Sequence, residues 1–196
     1  MVALTRRKYL IGGTGFLVFA GLGLWALFLS EQKATSVIGK PFMLTDADGR
    51  AFDFKELQGK PSLIYFGFTH CPDICPTTLF LLAQVMKKLG PDASQINTLF
   101  ITVDPDRDTP EQLKASLSTY DPHLRGLTGD PAQLAAVRDF YSIEARILPG
   151  TGKNYNIDHT NTVLVLDKDG RLRSSFDLHA SSDEVVALLE TVMQGR

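Results

Sequence analysis

Cysteine is scarce in this chain, and so is any excess of positive charge. Two cysteines stand among 196 residues, too few for a disulfide-built scaffold or a four-thiolate zinc site. Lys and Arg number 20 against 22 Asp and Glu, a formal net charge of −2. Arg6, Arg7, Lys8, Glu31 and Lys33 sit near the N-terminus; from Ser36 onward 16 basic residues face 21 acidic ones, a net of −5. That portion has no basic stripe with interleaved aromatics, which argues against nucleic acid as a partner. Its acidic balance suits partners with basic faces. Repeats and low-complexity tracts are absent too, so the chain reads as one domain plus an appendage.

The appendage is N-terminal. Residues 1–8 form a basic segment, and Tyr9 to Leu29 follows without a charge for 21 residues. At about 1.5 Å of rise per residue, such a run spans a hydrocarbon core of about 30 Å. Its Gly12-Gly13-Thr14-Gly15 stretch follows no strand, so it is not read as a nucleotide loop. The run exceeds a secretory h-region, and the nearest small-residue cleavage pattern, Ala34-Thr35-Ser36, lies beyond Glu31 and Lys33. We therefore expect an uncleaved transmembrane anchor over 9–29 and a polar linker over 30–37. Thr5-Arg6-Arg7-Lys8 has a twin-arginine look, which bears on the export route and not on the destination. Basic residues stay inside, so the domain from 38 to 196 is expected on the outer, periplasmic side. No Arg- and Ser-rich presequence precedes the span, which favours a bacterial plasma membrane over a mitochondrial one.

Beyond the linker, strand and helix patterns alternate. Phe42 to Thr45 and Ala51 to Phe54 flank Asp48-Gly49, a hairpin signal. Ser62 to Phe68 and Asn97 to Val103 read as strands buried on both faces. Pro76 opens a helix whose Leu79, Leu82, Met86 and Leu89 form one apolar stripe. Thr109-Pro110-Glu111-Gln112 and Ser181-Ser182-Asp183-Glu184 match the capping box, and Asp130-Pro131 sets a cap before a first-position proline. Asn161 to Leu166 and Leu172 to Phe176 flank a second hairpin turn, Asp167-Lys168-Asp169-Gly170. Together these predict an α/β, thioredoxin-like mixed sheet with helices on both faces.

The cysteines lie four apart in Cys71-Pro72-Asp73-Ile74-Cys75-Pro76, where the first buried strand gives way to a helix. Ligands bind at that edge of open α/β sheets. A helix N-terminus stabilises thiolate over thiol, and Pro76 is expected to keep Cys75 in the turn or at the first helical residue. The plain alternative is a stabilising disulfide, but so short a loop gains little from closure. Three intervening residues widen the bite in a way that permits metal chelation. Two thiolates and one imidazole form a soft donor set, which suits Cu(I) in low coordination. Four histidines could complete it: His70, His123, His159 and His179. His159 precedes the strand expected beside the centre of the sheet, which favours it without deciding the matter. Its neighbour Asp158 either orients the ring or is merely solvated.

Three segments carry a resemblance. Tyr65 to Thr78 (Tyr-Phe-Gly-Phe-Thr-His-Cys-Pro-Asp-Ile-Cys-Pro-Thr-Thr), Thr102 to Thr109 (Thr-Val-Asp-Pro-Asp-Arg-Asp-Thr) and Asp158-His159-Thr160 resemble the Sco/SenC family from about Ile38 onward. The resemblance implies a copper-binding assembly factor for cytochrome c oxidase, with Cys71, Cys75 and His159 as copper ligands. Leu164 departs from the pattern, since family members often carry an aromatic just beyond the histidine. The Asp104 to Asp108 charges either organise their loop or shape a surface that meets a partner.

The resulting expectation is a membrane-anchored copper chaperone that takes Cu(I)/Cu(II) and delivers it to the binuclear copper site of the oxidase subunit. It would depend on an upstream copper donor or thiol reductant. A thiol–disulfide oxidoreductase that reduces the partner's cysteines competes with it, because disulfide formation and metal binding use the same thiolates. A redox or copper sensor is the third reading. A peroxidase is disfavoured, since no thiol outside the pair could resolve an oxidised intermediate.

Overall fold

The computed structural model describes residues 41–195. The expected basic segment, anchor and linker lie outside the described residues, among which no helix is long and apolar enough to cross a membrane.

Nine strands and four α-helices are found among the described residues. In chain order they are β1 Met43–Asp46, β2 Ala51–Asp53, β3 Ser62–Gly67, α1 Ile74–Leu89, β4 Asn97–Thr102, α2 Pro110–Leu117, β5 Leu124–Thr128 and α3 Pro131–Phe140. Then follow β6 Ala145–Ile147, β7 Ile157–His159, β8 Val163–Leu166, β9 Leu172–Phe176 and α4 Ser182–Met193. Seven strands form one sheet in the order β2-β1-β5-β4-β3-β8-β9, while β6 and β7 pair separately. Strands β3, β4 and β5 run parallel, and β1 and β8 flank them antiparallel. The sheet is therefore mixed, as the pattern predicts.

Both faces carry helices. Thr98 Oγ1 lies 3.5 Å from Met86 Sδ of α1, and Phe100 is in register with Gly126. Paired residues share a face, so Gly126 lies on the same side as α1. A Cβ on Gly126 would come within 2.7 Å of the Leu117 side chain, which places α2 there as well. Alternation puts Phe66 on the opposite face, where its ring lies 6.2 Å from that of Tyr141 at the end of α3. Helix α4 packs on α1.

Local chemistry explains most boundaries. Gly49 and Gly170 take φ of +78° and +77° in the two hairpin turns, which a side chain would strain. Ser181 and Asp130 each cap a helix reciprocally, with Glu184 and Gln133 as partners. The expected box at Thr109 is only half formed. Thr109 accepts from the Gln112 N–H at 3.2 Å, but the Gln112 side chain turns to Ser116. Strands β3 and β8 are buried throughout, and Leu164 is an ordinary core residue paired with Ile64 and Ser175.

Candidate metal centre

The cysteine segment begins where β3 stops. Thr69 is tied to Asp108, its N–H at 3.0 Å and its hydroxyl at 2.6 Å, while the Thr102 hydroxyl donates to the same carboxylate at 2.7 Å. Asp108 is wholly buried. A buried carboxylate that accepts three hydrogen bonds is a fixed point, and it anchors the turn two residues before Cys71. Helix α1 starts at Ile74, so Cys75 is its second residue, one position beyond the turn or first helical residue expected from Pro76. A proline in the first helical turn lacks only an N–H that would be unpaired in any case. Gly67 lies beneath the sulfur: a Cβ there would sit 3.1 Å from Cys75 Sγ and 2.9 Å from the Phe100 ring.

The imidazole arrives from the other side. His159 closes the β6–β7 hairpin, in register with Ala145. Beyond it, Thr160 and Glu144 exchange a carbonyl and a hydroxyl bond, each 3.0 Å long. His159 Nδ1 lies 3.0 Å from the Thr160 carbonyl. A carbonyl only accepts, so Nδ1 carries the proton and Nε2 presents a lone pair. That Nε2 lies 3.4 Å from Cys75 Sγ. The Phe68 and Tyr65 rings stand edge-on to the imidazole at 5.8 and 6.3 Å, and the Tyr65 hydroxyl donates to Asn161 Oδ1 at 2.9 Å. The two sulfurs and the histidine nitrogen all lie within 4.8 Å of one another.

The sulfurs are unequal. Cys71 is half-buried and Cys75 buried, and no disulfide joins them. The Cys71 thiol is lowered to about 3, above all by its hydrogen bond from Cys75; the N–H groups of Asp73 and Cys75 add to this, and burial opposes it. The same bond, then burial, pushes the Cys75 thiol far above its ordinary range. The pair therefore holds one thiolate, on Cys71, and one proton, on Cys75. Burial, reinforced by Cys75, raises Tyr65 as well, so its phenol stays neutral. Two soft sulfurs and one free imidazole lone pair within this spacing fit a soft, low-coordinate ion such as Cu(I).

The remaining histidines lie elsewhere. His70 is exposed, with Nδ1 3.1 Å from the Thr69 hydroxyl. His123 is held by Asp121 at 2.8 Å, and the His179 N–H donates to Asp177. Asp158 pairs with Arg146 on the surface at 3.2 Å and is not the hydrogen-bond acceptor of the His159 ring. His70, Asp104 and Asp108 form a second cluster within 4.8 Å. Its carboxylates are already engaged, Asp108 as described and Asp104 by Arg107 and Tyr155.

A profile of the family described as SCO1/SenC matches residues 30–194. The chain belongs to the SCO1/SenC family. An SCO2-like protein of Rickettsia prowazekii is 41% identical over 155 residues, 78% of this chain and 76% of its own length. Among solved structures, Bradyrhizobium japonicum ScoI with copper bound superposes with a TM-score of 0.76 at 47% identity, covering 80% of this chain and all of its own. BsSco, described as a member of the Sco family of cytochrome c oxidase assembly proteins, has a TM-score of 0.65 over 82% of this chain and 96% of its own. At 21% identity it is similar in fold alone.

Proposed function

We propose that this chain binds copper, as Cu(I) and Cu(II), through Cys71, Cys75 and His159, and delivers it to the binuclear copper site of a cytochrome c oxidase subunit. One observation carries the reading: with Nδ1 committed to the Thr160 carbonyl, His159 aims its free Nε2 at the cysteine pair from 3.4 Å. A copper-bound solved relative at 47% identity supports it. Cys71 would bind as the thiolate it already is, and Cys75 would give up its proton on binding, so uptake releases a proton. Cys71, the more accessible sulfur, would be the ligand that an incoming partner thiolate exchanges with first. The apolar run over 9–29 would hold the domain at the outer face of a bacterial plasma membrane, beside its partner.

The unequal sulfurs favour a second reading, that of a thiol–disulfide reductase. The Cys71 thiolate would attack a partner disulfide, forming a mixed disulfide and releasing one partner thiolate. Cys75, losing its proton, would then attack Cys71, closing the Cys71–Cys75 bond and releasing the second partner thiolate. Two electrons pass to the partner.

Anaerobic titration of reduced protein with Cu(I) against a competing chelator, beside a His159→Ala variant, separates the two. The chaperone reading expects one tightly bound copper and a loss of at least about tenfold, or 1.4 kcal/mol, in the variant. Equal and weak binding by both would leave Cys71 and Cys75 as a redox pair alone.

A further inference from the structure

The three ligating atoms come from two separate pieces of chain, and one loop, Asp104 to Asp108, touches both. Its hold on the cysteine side is Asp108, bonded to Thr69 as described. Its hold on the histidine side is Arg107, whose side chain is only 5% exposed. Arg107 Nε pairs with the buried Asp104, and Nη1 donates to the Lys153 and Tyr155 carbonyls at 3.1 and 2.9 Å. The guanidinium lies 3.7 Å from the centre of the Tyr155 ring and 5.6 Å from that of Phe68. Tyr155 returns the contact, its hydroxyl donating to Asp104 Oδ1 at 2.6 Å. Phe68 in turn stands edge-on to His159.

The histidine hairpin needs such a hold. Strands β6 and β7 are three residues each, pair only with one another, and bury only Ile157 fully. A two-stranded ribbon of that size is not independently stable in water. Ile157 is buried, and the Arg107–Asp104–Tyr155 cluster lies just ahead of it.

We infer that Asp104, Arg107 and Tyr155 form a latch that positions His159 against the cysteine pair, so that the loop sets the reach of the third ligand. The latch residues touch neither sulfur nor imidazole; they act by fixing the hairpin that presents the ring. This rests on the copper-binding reading above.

The test is a four-protein cycle: wild type, Tyr155→Phe, His159→Ala and the double variant, each titrated with Cu(I) against a chelator. Tyr155→Phe keeps the ring under Arg107 and removes only the hydroxyl. It is expected to weaken Cu(I) binding by about tenfold, the low end of what outer-shell partners cost. The double variant should bind no more weakly than His159→Ala. In the copper-free proteins, amides of residues 151–159 should exchange faster in Tyr155→Phe while those of 71–76 do not change. Arg107→Lys, which keeps the charge and loses the planar fork, should reproduce both effects. Wild-type affinity in Tyr155→Phe beside a weakened His159→Ala would overturn the latch and leave the copper reading standing. The same holds for an equal loss on the His159→Ala background. If His159→Ala binds like wild type, the third ligand fails, and with it any device for positioning it.

Discussion

The two halves of the metal centre are built in different ways. The cysteine half is built mainly from its own stretch of chain, a buried strand, a turn and a helix of 16 residues, with the turn anchored on Asp108 of a neighbouring loop. The histidine half is a pair of three-residue strands held down by a neighbouring loop. One half rests mainly on its own strand and helix in the core, with its turn tied to Asp108, and the other depends on contacts between residues some 50 positions apart. A ligand set made this way can keep its thiolates in place while the reach of its imidazole is adjusted separately.

The largest effect should appear at the cysteine half without any metal. With the Cys71 thiol lowered to about 3, its thiolate fraction is nearly constant from pH 5 to pH 8. Alkylation of reduced protein by iodoacetamide at Cys71 should therefore stay flat across that range. An ordinary thiol, with a pKa of about 8.5, slows about tenfold for each unit below it. A Cys71 rate that falls steeply over those three units would mean that the sulfurs do not share one proton as the geometry implies. Cys75, buried and protonated, should resist labelling throughout.

The same contrast explains what could be read from the sequence. Strands β3 and β4, the stripe of α1, both hairpin turns and the caps at Asp130 and Ser181 carry signals within a few residues of one another. Strand β5 was not expected, because Arg125 and Gly126 interrupt its apolar pattern although Leu124 and Leu127 are buried. Strands β6 and β7 gave no signal either, being too short and polar for a period. The cysteine pair announced itself by spacing. His159 was one of four candidates until its ring could be seen 3.4 Å from Cys75. Of the two readings of the Asp104 to Asp108 charges, organising their loop or shaping a partner surface, the buried pairing of Asp104, Arg107 and Asp108 fits the first. Thr102 and the Asp104–Arg107 pair are local, but Thr69, Lys153 and Tyr155 stand far off in sequence, and no local pattern reveals those partners.

Packing beneath the sulfur offers an intermediate effect. Gly67→Ala would press a methyl group to 2.9 Å from Phe100 and 3.1 Å from Cys75 Sγ. Overpacking of this kind costs about 1–3 kcal/mol, and each kcal/mol lowers Tm by about 2–4 °C in a domain of this size. Calorimetry of the reduced domain should show that drop, with Cu(I) affinity falling as the sulfur shifts. An unchanged Tm would show that Phe100 and Cys75 yield without strain, and the cysteine half would then be less rigid than its burial indicates.

The smallest effect belongs to the residue that sequence alone would nominate as the histidine's helper. Asp158 adjoins His159, but its carboxylate faces Arg146 with both side chains mostly exposed, 63% and 76%. Exposed pairs of this kind contribute about 0–1 kcal/mol, and the ring is oriented by the Thr160 carbonyl instead. Asp158→Ala should leave Cu(I) affinity within about twofold of wild type, below the 1.4 kcal/mol that marks a tenfold change, and should leave exchange at residues 151–159 unchanged. A loss comparable to that of Tyr155→Phe would move control of His159 from the distant latch to its neighbour, and the division between a locally built half and a tertiary one would fail. Adjacency in sequence places Asp158 on the opposite side of the strand from the ring it adjoins, whereas Tyr155, four residues away, faces the loop that holds the hairpin.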